Sequence, residues 1–133
     1  MKKDELILPI DPSTGYAFVP TDIKGPGALY QANLLLDTGA AQTTLSTKLA
    51  RILGYHLSSL KSEDVIVVGG HATSRLVQLD EVAVRGARLK LVGCRFMDVS
   101  PFDGLLGNDL LRKLNILVIL DVKRQTARLV FRN

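Results

Sequence analysis

The segment Leu34-Leu35-Leu36-Asp37-Thr38-Gly39-Ala40 carries more information than any other stretch of this sequence. An apolar run leads directly into an aspartate, so a buried strand would deliver the carboxylate at its end. Small residues follow, and then Thr43-Thr44-Leu45-Ser46 leads toward a helical stretch. Asp-Thr-Gly by itself also reads as an ordinary turn, because Asp and Gly favour turns for local reasons. A second stretch adds weight: Asp103-Gly104-Leu105-Leu106-Gly107-Asn108-Asp109-Leu110-Leu111 again sets apolar residues and a glycine before a short helix.

Working outward, most of the chain reads as short strands bounded by turn residues, hence mainly β. Strands are expected at Gly15–Val19 (ended by Pro20), Leu29–Leu36, Asp64–Val68, Thr73–Val84, Leu89–Val99, Ile116–Val122 and Ala127–Phe131. Lys24-Gly25-Pro26-Gly27 is a turn, Gly69-Gly70 a hairpin tip, Gly86 a turn, and Lys123–Thr126 the loop of a final hairpin. Ser46–Leu53 reads as a helix with Ser46 as N-cap, Leu49, Ile52 and Leu53 on one face, and Gly54 as its stop. Asn108–Leu114 reads as a second helix, capped by Asn108. The sequence shows no internal repeat, linker or low-complexity tract, so residues 1–133 are expected to form one domain.

Composition narrows the function classes. With 133 residues and 47% hydrophobic content the chain can bury a core. Its net charge of +4 comes from scattered basic residues, without the basic stripe and stacking aromatics of a nucleic-acid reader. Cys94 is the one cysteine and reads as a small buried hydrophobe; with only His56 and His71 beside it, a zinc site of the usual spacing is excluded. No cofactor or metal is expected. Asp4 and Glu5 directly follow Lys2-Lys3, and the apolar run Leu6–Ile10 is short and contains Pro9, so no signal peptide is read. No stretch approaches the ~20 apolar residues of a membrane span. The chain reads as soluble, with its compartment undetermined.

In combination, the two motifs and the glycine-tipped hairpin between them resemble the retropepsin-like aspartic proteases, especially the bacterial single-domain group with Asp-Thr-Gly-Ala. The resemblance runs from about Leu29 to Phe131. It implies a closed, barrel-like acid-protease fold with one or two short helices. It implies Asp37 as the catalytic carboxylate, with Thr38, Gly39 and Ala40 as the scaffold of its loop and the Thr38 hydroxyl bonding across a dimer. Leu105, Leu106 and Gly107 would pack beneath that loop. Val68, Gly69, Gly70 and His71 would belong to a flap over the substrate, and the C-terminal segment would help build a dimer sheet. Viral members often pair an acid two positions after the motif glycine with an arginine after the downstream glycine. Here those positions are Ala41 and Asn108, which points to a different way of bracing the loops.

The chemistry follows from the residue count. Two adjacent carboxylates can activate a water and polarise a carbonyl while sharing one proton. One Asp37 per chain therefore calls for a homodimer, with a two-fold axis between the two side chains. The expected activity is an aspartic endopeptidase acting on a peptide or protein in extended form. A non-catalytic peptide-binding or dimerisation module on the same fold is the alternative, and a protease confined to itself or to one partner is a third reading. His71 and His56 read as exposed residues, Asp103 as a turn residue, and Asp109 as a first-turn acid favoured by the helix dipole.

Overall fold

The computed structural model describes residues 4–132. Strand formation follows the apolar alternation. In β2 (Phe18–Lys24), Val19, Thr21 and Ile23 are buried while their neighbours are not. In β3 (Leu29–Leu36), Ala32 and Leu34 point inward, and the run closes on the buried Leu35. The remaining strands are β1 (Asp4–Pro9), β4 (Thr44–Ser46), β5 (Ser62–Val67), β6 (Gly70–Val84), β7 (Ala87–Met97), β8 (Gly104–Leu106), β9 (Ile116–Asp121) and β10 (Thr126–Phe131). Among the described residues, two short helices, α1 (Thr47–Leu53) and α2 (Asn108–Lys113), and a 3-10 turn at Leu57–Ser59 complete the structure.

The larger sheet has the order β2-β3-β8-β4-β7-β6-β5, and β2 also pairs with β6 at Asp22–Lys24. That extra pairing closes six strands into a barrel and leaves β5 outside the ring, attached only to β6. The expected closed β fold with short helices is therefore present. A smaller sheet, β1-β10-β9, packs on the same core through Leu8, Ile116, Ala127 and Leu129. Phe96, Leu34, Leu45, Leu79 and Leu106 are among the fully buried side chains at the barrel's centre. Burial of such a side chain contributes about 1.5–3 kcal/mol each.

Turn geometry explains the hairpins. Arg85 and Gly86 both have positive φ (53° and 113°), as a two-residue turn of the favoured hand requires between β6 and β7. Between β5 and β6 the two turn residues are Val68 and Gly69, and only Gly69 (φ 92°) needs the left-handed region. The turn thus sits one residue earlier than Gly69-Gly70, and Gly70 opens β6.

Several sequence expectations are corrected. The strand expected to end at Pro20 begins later and runs on to Lys24. A proline costs little there, because β2 has a neighbour on one side only until Asp22. Ile52 is 44% exposed; the inward face of α1 is Leu49, Ala50 and Leu53. Ser46 is the N-cap of α1 by position but makes no side-chain cap bond. Gly107, not Asn108, is the N-cap of α2, and the Asn108 side chain is engaged elsewhere. The run around Leu6 is a paired strand, β1, whose partner β10 lies at the opposite end of the sequence.

Candidate active site

Strand β3 is held on both sides, antiparallel to β2 and parallel to β8 (Leu35↔Leu105, Leu36↔Leu106). The ladder runs past the strand's end: the Asp37 N–H donates to the Leu106 carbonyl at 3.0 Å. The position of Asp37 is thus set by backbone bonds made before its side chain is considered. Beyond it the chain turns sharply. The Ala40 N–H donates to the Asp37 carbonyl at 3.1 Å, and the Gly39 N–H to Asp37 Oδ1 at 3.1 Å. The second bond is a local carboxylate-to-backbone turn that engages one of the two carboxylate oxygens. Asp37 and Ala40 are half-buried, while Thr38 and Gly39 are exposed. A half-buried carboxylate held in a turn of small, largely exposed residues is what these bonds create.

The second motif lies against the first. The Asn108 and Asp109 N–H groups, which α2 cannot satisfy internally, donate to the Ala40 and Ala41 carbonyls at 2.8 and 3.3 Å. Asn108 Nδ2 donates to the Thr38 carbonyl at 2.7 Å. This chain thus braces its loop with amide-to-carbonyl bonds.

A buried relay supports the loop from below. The Gly107 N–H donates to Thr43 Oγ1 (3.0 Å), and that hydroxyl donates to Asp109 Oδ1 (2.7 Å). The same oxygen accepts the N–H of Thr43 (2.9 Å) and of Leu110 (2.8 Å). Asp109 is therefore a joint between β4's approach and α2 as well as a first-turn acid. Asp103, read from sequence as a turn residue, also reaches further. Its Oδ2 accepts the Asn33 N–H at 3.0 Å, and Oδ1 lies 3.6 Å from Lys48 Nζ.

Leu105 and Leu106 flank the Asp37 strand as β8, and Gly107 follows where the chain presses on the loop. A Cβ at Gly107 would stand 2.7 Å from the Gln42 carbonyl carbon. Val68, Gly69, Gly70 and His71 occupy the exposed end of the β5–β6 hairpin, well away from the Asp37 loop in sequence. Val68 is fully solvent-exposed at that tip. A cleft of ≈ 570 Å³ beside the loop is lined by Gln42, Thr43, Cys94, Arg95, Asp109 and Lys113 among others, and Asp37 is not one of them. Cys94 is buried, with Sγ 3.3 Å from the Thr43 carbonyl, and burial pushes its thiol up to about 12. His56 and His71 are exposed. Among the described residues, no cluster of three His, Cys, Asp or Glu side chains could hold a metal ion, and no helix is long and apolar enough to cross a membrane.

Asn108, Asp109, Asp103 and Arg95 support the site but are not assigned those roles by sequence reading. Their partners lie from 21 to 70 residues away, and no local pattern marks them.

A closed β-barrel that sets an Asp-Thr-Gly loop against an apolar-apolar-Gly element defines the class of retropepsin-like acid proteases. The sequence profile of that class settles the family: the aspartyl protease profile matches residues 19–110, and the chain belongs to the aspartyl protease family. No curated protein matches the chain. Among solved structures, it is similar to a retropepsin-like aspartic protease from Rickettsia conorii (TM-score 0.74, 19% identity, 98% of this chain and 93% of that one). It is also similar to the retroviral protease-like domain of Ddi1 from Leishmania major (TM-score 0.58, 16% identity, 87% and 93%). Family and fold together support a protease.

Proposed function

We propose that the chain is an aspartic endopeptidase whose active unit is a homodimer, with Asp37 from each copy forming the catalytic pair. The observation that carries this reading is the setting of Asp37. It stands half-buried at the end of a doubly paired strand, one carboxylate oxygen bonded within its own turn, and the chain holds a single Asp-Thr-Gly. Two such carboxylates across a two-fold axis cannot both ionise easily, so they hold one proton between them. The ionised member takes a proton from a water, which adds to the scissile carbonyl carbon. The protonated member donates to the carbonyl oxygen. Collapse of the tetrahedral adduct breaks the C–N bond, and a proton passes to the leaving amine. Thr38 would brace the two loops across the axis, and Gly39 and Ala40 would keep the floor open. The hairpin tip at Val68, Gly69, Gly70 and His71 would cover an extended peptide and bond its backbone.

The test is cleavage of a mixed peptide library at roughly pH 4 to 7, where one carboxylate of such a pair is ionised. Wild type and Asp37→Asn are compared at several protein concentrations. Cleavage should fall by about 10²–10⁴-fold or more in the variant, and specific activity should fall on dilution as dimers part. Peptide binding retained by Asp37→Asn, with no cleavage by either protein, would leave a peptide-binding module instead.

A further inference from the structure

Arg95 lies in β7 where that strand pairs in parallel with β4 (Thr44↔Arg95) and antiparallel with β6 (Leu76↔Arg95). Its side chain is only 18% exposed, and all three of its nitrogens are engaged. Nε donates to Gln42 Oε1 at 2.6 Å, Nη1 to Ser74 Oγ at 3.0 Å, and Nη2 lies 2.9 Å from Glu63 Oε1. These partners belong to two bodies. Gln42 follows the Asp37 loop directly. Glu63 and Ser74 face one another across the β5–β6 hairpin, and the fully buried Ser74 also donates its hydroxyl to the Glu63 carbonyl at 3.2 Å.

The hairpin needs such a tie. Strand β5 has no sheet neighbour except β6, so beyond Glu63 the hairpin projects by four residues, ~13 Å at strand rise, to its tip. A planar guanidinium sets its donors at fixed angles, so three bonds to three partners hold the hairpin base and the loop in one relative orientation. A lysine in this place could supply charge but not that fork.

We propose that Arg95 is a positioning residue that couples the hairpin to the Asp37 loop, so that movement of the hairpin over a peptide alters the loop's order and the reverse. The consequence for catalysis rests on the Asp37 reading above; the coupling itself is a property of the folded chain.

Amide hydrogen exchange tests it without need of activity. The amides of Ala40, Thr43 and Asn108, each hydrogen-bonded across the loop, are compared in wild type, Arg95→Met and Glu63→Gln. Glu63 is 41% exposed and touches none of these amides, so its substitution leaves the core intact. Exchange at the three amides should quicken about fivefold or more in both variants, a coupling of ordinary size, with the β9 and β10 amides unchanged. Unchanged loop amides in Glu63→Gln would overturn the proposal, as would an equal rise throughout the molecule, which would mark a purely structural role. In the peptide assay, kcat/KM should fall by a similar factor in Glu63→Gln, with both kcat and KM altered. An active wild type with kcat/KM unaltered in Glu63→Gln overturns the coupling and leaves Asp37 in place. An inactive wild type counts against the Asp37 reading, and the exchange data still decide the role of Arg95.

Discussion

At Gly107 a hydrogen stands where no methyl group fits. A Cβ there would lie 2.7 Å from the Gln42 carbonyl carbon, just after the Asp37 loop, and 3.0 Å from the Ala40 carbonyl oxygen within it. Gly107→Ala must displace that loop, at a cost of about 1–3 kcal/mol. The urea midpoint should drop with an unchanged slope, and an unmoved midpoint would show that the loop yields freely. Cys94 makes a second prediction. Its folded-state thiol keeps its proton up to about 12 against an ordinary 9.0, so the folded chain binds the extra proton between those values. Stability from this group is full below pH 9.0 and is lost as pH rises through that window, at about 1.4 kcal/mol per pH unit. Wild type should therefore lose stability more steeply than Cys94→Ala above pH 9.0, as read by urea unfolding, and parallel curves would contradict the assignment. At this scale the sequence places Asp37 at a strand end leading into a turn, where the structure has it, because the pattern around it is local. It does not mark Asn108 or Arg95, whose meaning lies in partners brought near only by the fold.

Elements were legible where apolar alternation was strong. The β6–β7 and β9–β10 hairpins fall within a few residues of the boundaries that turn chemistry suggests. Pro20 misleads, since a proline breaks a strand only where its missing N–H is needed, and β2 has an open side at that point. Helix α2 shows how a short element gains support from others. Its leading N–H groups bond loop carbonyls, and its Asp109 receives three donors. Asp109→Ala leaves the Thr43 N–H and hydroxyl without their acceptor, and the loss should be about 1.5–3 kcal/mol. Calorimetry would show a lower Tm, and a change no larger than that of an exposed alanine substitution would mean that water replaces the carboxylate.

For the whole molecule, the C-terminal strand matters in a way the sequence does not display. Strand β10 is paired on both sides within its own chain, by β1 and β9. A sheet shared between two copies through this small sheet would therefore have to use β1 or β9 as its edge. Leu8, 5% exposed, fastens β1 to the common core. Leu8→Ala should cost about 2–5 kcal/mol and should quicken amide exchange along β10. Stability equal to wild type would show that the small sheet is not anchored through this residue. The closed barrel could be anticipated only from the resemblance, because the β2–β6 contact that seals it joins residues near 22 and 83, and periodicity says nothing about such distant pairings.

The pairing of Asp4 with Phe131 also sets an order in time. Among the ten strands described, β1 is synthesised first and its partner β10 last. Until β10 has been made, Leu6, Ile7 and Leu8 have no sheet to join, while the six-strand ring, complete once β8 has emerged, can close without them. Strand β1 thus stays unpaired until β10 has been made, and the small sheet is the part of this fold that is completed last.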